Sequence, residues 1–207
     1  MSFPKQKFLI FILLIGLTFI NPNLVFAAEN EAVLAGGCFW CLEHDLEQVN
    51  GIKNAESGYA GGDLSSPTYD NHQGHQESVL VDFDPSRISY DHLLRLFIRN
   101  VDPLDGEGQF CDRGDSYRPV IFVSDDEQRL VAKDSLANAA KELSIPISSI
   151  KIAIKDRKVF WPAENYHQDY AEINSLKYNF YRYSCGRDSR LKEVWGSHAS
   201  SMSEWVK

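Results

Sequence analysis

The chain has 207 residues, of which 24% are charged, 43% hydrophobic and 12% aromatic, with a net charge of −8. Its excess of acid over base argues against a nucleic-acid partner, whose phosphates reward Lys and Arg. The aromatic content and the periodicity described below argue against disorder.

Residues 1–27 read as a secretory signal peptide. Lys5 and Lys7 form a basic start, and Phe8 to Ile20 an apolar run interrupted by Gly16 and Thr18. Asn21-Pro22-Asn23 break the run, and Val25-Phe26-Ala27 offers a cleavage site before Ala28. The run of 13 residues is short of the about 20 that a membrane span needs. Cleavage would leave 28–207 as one domain and, with both lysines gone, a net charge of −10. Export to the periplasm of a bacterium-like cell is the expectation. That oxidising compartment permits disulfides among Cys38, Cys41, Cys111 and Cys185. A thiol enzyme placed there has to be supplied with electrons.

After residue 28 the elements follow one another without repeats or low-complexity linkers. Ala32 to Ala35 is a short apolar strand. Gly36-Gly37 permits a tight turn, and Phe39, Leu42, Leu46 and Val49 then recur at helical spacing. This places Cys38 in the first turn of a helix, where free N–H groups and the helix dipole favour a thiolate. Cys41 lies roughly 60° around that helix from Cys38, so the two sulfurs could meet. Asn50-Gly51 ends the helix, Lys53 to Ala60 is a strand, and Gly61 to Gln73 is a polar loop.

Gln76 to Phe83 alternates strictly and reads as a strand. Its apolar face carries Glu77 beside Val79, Val81 and Phe83. A carboxylate on a core face either serves a site or frays outward at the strand end. Ser89 caps the next helix, whose buried stripe is Tyr90, Leu93, Leu94, Phe97 and Val101. Asp102-Pro103 stops it, and 104–116 is a Gly-rich polar loop. Tyr117 to Val123 reads as a strand, and Ser124 with Glu127 as a capping box for a helix over 125–143. Ile150 to Ile154 is a last short strand, and Glu164 to about Tyr178 a polar-aromatic helix. The stretch from 156 onward shows little regular pattern and is expected to wrap the core. This order suits an α+β fold: a two-layer split βαβ, ferredoxin-like core with an antiparallel or mixed sheet.

Several segments together resemble the peptide methionine sulfoxide reductase A family. They are Gly36-Gly37-Cys38-Phe39-Trp40-Cys41-Leu42-Glu43, Gly58-Tyr59-Ala60-Gly61-Gly62, Pro67-Thr68-Tyr69, Gly74-His75-Gln76-Glu77, Asp112-Arg113-Gly114 with Tyr117-Arg118, and Tyr166-His167-Gln168-Asp169-Tyr170. The resemblance implies reduction of the S epimer of methionine sulfoxide, free or in proteins. It implies Cys38 as nucleophile, Phe39 and Trp40 as the enclosure of the substrate methyl group, and Glu77 as proton donor to the sulfoxide oxygen. Tyr69 and Tyr117 would hydrogen-bond that oxygen, with Asp112 a further polar group. No cofactor or metal is implied, and a thioredoxin-like reductant is the expected partner of a monomeric enzyme.

The chemistry supports these residue types independently. A soft thiolate attacks a sulfoxide sulfur, the departing oxygen needs a proton, and an apolar surrounding keeps a carboxylic acid neutral enough to give one. Read without the resemblance, Phe39 is plain core, Tyr69 a turn aromatic, Asp112 a turn residue, and His75 and His167 structural hydrogen-bonders. The resolving thiol stays open: Cys41 by proximity, Cys185 on a C-terminal segment expected to be flexible, or Cys111. Cys38-x-x-Cys41 would also suit a general thiol–disulfide oxidoreductase of thioredoxin-like order.

Overall fold

The computed structural model describes Met1 and residues 30–200. Apart from Met1, the expected signal segment 1–27 lies outside the described residues. Six strands form one sheet: β1 (Glu31–Ala35), β2 (Ile52–Ala60), β3 (Gln76–Phe83), β6 (Val120–Val123), β7 (Ala153–Asp156) and β8 (Trp161–Pro162). Their order is β7-β6-β1-β3-β2-β8. β6 and β7 pair parallel and every other neighbouring pair is antiparallel, so the sheet is mixed. A short ladder of β4 (Gly108–Gln109) and β5 (Asp112–Arg113) shapes the loop before β6.

The helices are α1 (Phe39–Glu47), α2 (Tyr90–Arg99), α3 (Asp126–Glu142), α4 (Tyr170–Ile173), α5 (Ser175–Cys185) and α6 (Arg187–Trp195). β1, α1 and β2 form one crossover with β3 inserted between its strands; β3, α2 and β6 form a second with β1 inserted. β1 is buried on both faces, which explains its unbroken apolar run. On one face Leu34, Val79, Val81, Phe83 and Ile121 pack in the same core as Phe39 and Leu42 of α1 and Leu93, Leu94 and Phe97 of α2. On the other, Val33, Ala35, Ala60, Val120 and Phe122 form a smaller cluster.

Strand β3 has the expected bounds, and Ser89 caps α2 as expected, its Oγ accepting from the His92 amide at 3.2 Å. Elsewhere local chemistry moved the boundaries. Tyr117 belongs to a 3-10 turn, Asp115–Tyr117, and β6 begins only after Pro119, which has no N–H to give a ladder. The cap of α3 is Asp125, not Ser124: its carboxylate accepts from the Gln128 amide at 2.7 Å, and Gln128 Oε1 accepts from the Ser124 amide. β7 begins three residues and ends two residues later than expected, following a 3-10 turn at Ile147–Ser149.

The expected helix 164–178 is broken into a 3-10 turn, Asn165–His167, and the separate α4 and α5. Gln168 is drawn out of any helix by bonds to both backbone groups of Ser57, at 2.9 Å each. The C-terminal stretch is helical, not irregular. α5 exposes Leu176 and Phe180 while burying Tyr178, so no one-sided apolar stripe announces it.

Candidate active site

The central strand β1 ends at Ala35, and two glycines turn the chain beneath α2. A Cβ on Gly36 would stand 2.7 Å from Val101 Cγ1, and Gly37 adopts φ +88°. The turn delivers Cys38 as the cap residue of α1, one position ahead of the first turn where it was expected. Its carbonyl accepts from the amides of Cys41 (3.1 Å) and Leu42 (3.4 Å).

Glu77 stands opposite on β3. It is 2% exposed, so it does not fray into water. Its Oε2 accepts from the Phe39 amide at 3.0 Å, taking one of the free N–H groups at the start of α1.

Between these elements lies a cavity of about 60 Å³. Cys38, Phe39 and Trp40 line it from α1. Glu77, Tyr69, Tyr117 and Asp112 line it from the sheet and loops, so all the residues singled out as catalytic or substrate-binding, apart from the resolving thiols, meet there. Tyr181 of α5 completes the wall. Trp40 stacks flat on Tyr170 at 3.7 Å, and its Nε1–H donates to His167 Nδ1 at 3.0 Å. The His167 ring in turn packs against Tyr69 and Phe39, at 4.6 and 4.9 Å.

The Tyr69 loop is held from below by Glu164. One of its carboxylate oxygens accepts from the Tyr69 amide (2.9 Å), the other from the Tyr59 hydroxyl (3.0 Å). His75 closes the base of that loop. Its Nδ1 accepts from the Gly62 amide, which assigns the Nε2 proton to the Leu64 carbonyl 2.9 Å away. On the far wall, Asp112 Oδ2 accepts from the Tyr181 hydroxyl at 2.6 Å.

The four cysteines divide into two pairs. Cys38 and Cys41 are free and buried. Cys111 and Cys185 are joined in a disulfide, with Cα atoms 4.9 Å apart. Cys185 is therefore not a loose thiol on a flexible tail; it ends α5.

A family model described as peptide methionine sulfoxide reductase matches residues 30–199. The chain belongs to this family. A Caulobacter vibrioides relative named peptide methionine sulfoxide reductase MsrA 2 is 49% identical over 179 residues, covering 84% of this chain and 90% of that one. A Rhizobium meliloti protein of the same name is 44% identical, with coverages of 84% and 87%. Among solved structures, the reduced form of Mxr1 from Saccharomyces cerevisiae aligns with a TM-score of 0.65 at 28% identity, over 70% of this chain and 85% of that one. Methionine sulfoxide reductase A of Corynebacterium diphtheriae aligns at 0.62 and 25% identity, over 71% and 76%.

The site of this family member is electrostatically asymmetric. Burial pushes the Glu77 carboxyl up to about 8, against the pull of the Phe39 amide and the Tyr117 hydroxyl. Glu77 is thus largely protonated at neutral pH. Burial and the neighbouring Cys41 also push the Cys38 thiol well above its ordinary value, which corrects the expectation of a resting thiolate from the helix start. The helix dipole is outweighed because the sulfur is cut off from water. Cys41 is lowered, chiefly by the hydrogen bond from Cys38 and then by the guanidinium groups of Arg187 and Arg182. Burial raises Asp112 as well, with the Tyr181 hydroxyl opposing. Burial holds His167 neutral, consistent with its role as acceptor for the Trp40 indole.

Among the described residues the one group with donors close enough for a metal ion is Cys111, Asp112 and Cys185. Its two sulfurs are spent on each other, which leaves no thiolate to ligate. Three contributors escaped the sequence reading: Tyr181, Glu164 and Arg187. Arg187 is fully buried, donates to the Gly36 carbonyl at 3.4 Å and the Asn100 carbonyl at 2.7 Å, and so braces the turn that presents Cys38. A buried cation in a stretch that reads as polar gives no signal in sequence. Tyr181 is one of several aromatics in Tyr178 to Tyr183, and nothing there marks it out.

Proposed function

We propose that this enzyme is a peptide-methionine (S)-S-oxide reductase in which Cys38 is the nucleophile and Glu77 the acid. The observation that carries the reading is a buried carboxyl group, bonded to the Phe39 amide, in the same small cavity as a free thiol, with burial pushing that carboxyl up to about 8. Cys38 gives its proton to solvent and attacks the sulfoxide sulfur as a thiolate while Glu77 protonates the oxygen, to which the Tyr69 and Tyr117 phenols, neutral donors, bond. The oxygen passes as hydroxyl to the Cys38 sulfur, and Glu77 regains its proton from solvent. Burial holds both phenols above their ordinary range, so they stay protonated. Methionine leaves reduced by two electrons, and Cys38 is oxidised by two electrons to a sulfenic acid.

Cys41, the free thiol beside it, condenses with the sulfenic acid and releases water. A thioredoxin-like dithiol then reduces the Cys38–Cys41 disulfide. Phe39 and Trp40 enclose the substrate methyl group, and Asp112 supplies a polar wall with Tyr181. The strand order supports reading the central four strands as a ferredoxin-like split βαβ. Residues 28–207 form one monomeric domain, and the sequence of 1–27 supports export to the periplasm without lasting membrane attachment.

A stereospecific assay with dithiothreitol as reductant tests the reading. Only the S epimer of methionine sulfoxide should be consumed, and Cys38→Ser should consume neither. Peptide mapping after one turnover should find a Cys38–Cys41 bond, and a Cys38–Cys185 bond would reassign the resolving role. Reduction of insulin disulfides in the absence of any sulfoxide activity would favour a general thiol–disulfide oxidoreductase instead.

A further inference from the structure

The disulfide has no part in the reaction as derived, yet its two ends stand beside the cavity. Cys111 immediately precedes Asp112, and Cys185 lies one helical turn beyond Tyr181 on α5, on the same side. Asp112 and Tyr181 are the two members of the 2.6 Å hydrogen bond that forms the far wall. The Asp112 carboxylate oxygens lie 3.8 Å from the Cys111 sulfur and 3.9 Å from the Cys185 sulfur. The bond therefore joins the loop that carries Asp112 to the helix that carries Tyr181, at the residues next to both.

Other contacts between the two segments are softer. The Arg187 guanidinium lies over the Phe110 ring at 4.5 Å, a contact that can slide. The Cys111 amide donates to Cys185 Sγ at 3.1 Å, which depends on the same pair being in place. Cys111 is exposed whereas Cys38 and Cys41 are buried, so a reductant in solution meets the outer pair first.

We propose that the Cys111–Cys185 disulfide is a clasp that positions the substrate cavity, holding the Asp112 carboxylate against the Tyr181 phenol, so that the cavity's hold on a methyl sulfoxide depends on the oxidation state of this pair. Cys111 and Cys185 are positioning residues, acting through Asp112 and Tyr181. Opening the clasp takes one dithiol: it transfers two electrons and two protons, two thiols form on the protein, and the dithiol leaves as its own disulfide. The loop and the helix end are then joined by the Asp112–Tyr181 hydrogen bond and the softer contacts, with no covalent tie. This inference rests on the proposed reductase activity.

The test uses the wild-type protein in two forms. One holds two free thiols; the other is treated with dithiothreitol to expose four, then freed of reductant without oxygen, the thiols being counted by alkylation and mass spectrometry. Single-turnover methionine formation is measured against the concentration of the S epimer. The clasped form should half-saturate at a concentration lower by about fivefold, the worth of one well-placed hydrogen bond. The maximal rate should agree between forms within about twofold, since the reacting groups are unchanged.

In Tyr181→Phe the two forms should coincide, because the bond through which the clasp acts is already gone. A common half-saturation for both wild-type forms would overturn the proposal. So would a shift that persists undiminished in Tyr181→Phe, or an effect confined to reductant-coupled turnover, which would make the pair an electron carrier. If neither form yields methionine, it is the reductase reading that fails. The clasp is then judged by amide hydrogen exchange over 110–113 and 181–185: slower exchange in the disulfide form supports it, equal exchange refutes it.

Discussion

At the scale of single residues, Glu77 carries the most chemistry and the clearest pH dependence. On the proposed mechanism the step needs Glu77 protonated and Cys38 ionised, and burial pushes the Glu77 carboxyl to about 8 and the Cys38 thiol well above its ordinary value. The single-turnover rate of methionine formation should therefore rise with pH to about 8, where the gain in thiolate is offset by loss of the acid, and level off there. A rate that is level below pH 8 would mean that ionisation of Cys38 does not enter the step. Glu77→Gln should lower the rate by about 10²–10⁴-fold, the usual worth of a general acid, and should abolish the levelling at pH 8. The same substitution bears on stability. Because the folded state binds this proton more tightly than an unfolded chain, burial costs stability between the ordinary carboxyl range and pH 8. Glu77→Gln should accordingly melt above wild type at pH 8, with the gap closing toward pH 5.

Glu77 was legible beforehand because a period-two strand sets a register, and a carboxylate on its apolar face breaks that register. Tyr117 was legible only through resemblance, since its turn has no period. The state of Cys38 was misjudged because helix position is visible in sequence and burial of a sulfur is not.

At the scale of elements, stretches with a clear apolar pattern or a capping residue could be read, and those held by polar contacts between distant residues could not. β3 and α2 show period and cap and lie where expected. The C-terminal helices hold themselves by polar contacts instead. Arg182 of α5 bonds Asp45 of α1 at 2.8 Å, and Arg190 of α6 bonds Asp102 at 2.7 Å. Such pairs join residues far apart in the chain, and no local pattern foretells them.

The packing of α2 on α3 shows the energetic weight of one such link. Arg99 Nε and Nη2 both donate to the Glu142 carboxylate, at 3.1 and 2.5 Å, in a pair with almost no solvent access. Removing the carboxylate breaks a buried, doubly bonded ion pair, at a cost of up to about 3–5 kcal/mol. Glu142→Ala should show that loss in urea unfolding, far more than the fraction of a kcal/mol expected for an exposed pair such as Lys53–Asp82.

At the scale of the whole molecule, the fold joins distant stretches of chain around one recess. The class, a mixed α+β arrangement, follows from alternating strand and helix patterns before residue 156. The path of residues 168–200 over α1 does not follow, because it depends on buried arginines and on a covalent bond. That bond links positions 74 residues apart. Closing a loop of that size removes freedom from the unfolded chain worth about 4 kcal/mol in the chain-entropy view. Cys111→Ala/Cys185→Ala should unfold at a clearly lower urea concentration than the wild type kept oxidised, and should match the wild type kept reduced. A midpoint equal to that of the oxidised protein would show that native strain cancels the gain.

The size of the recess has a consequence for what the enzyme can repair. A recess of about 60 Å³ takes in the oxidised tip of one side chain and leaves the bearing peptide outside. How far a lesion stands out from its host therefore bears on how fast it is repaired. A lesion that protrudes from its host, or sits in a stretch that opens often, is mended soon, and one sealed inside a rigid fold waits for that fold to breathe.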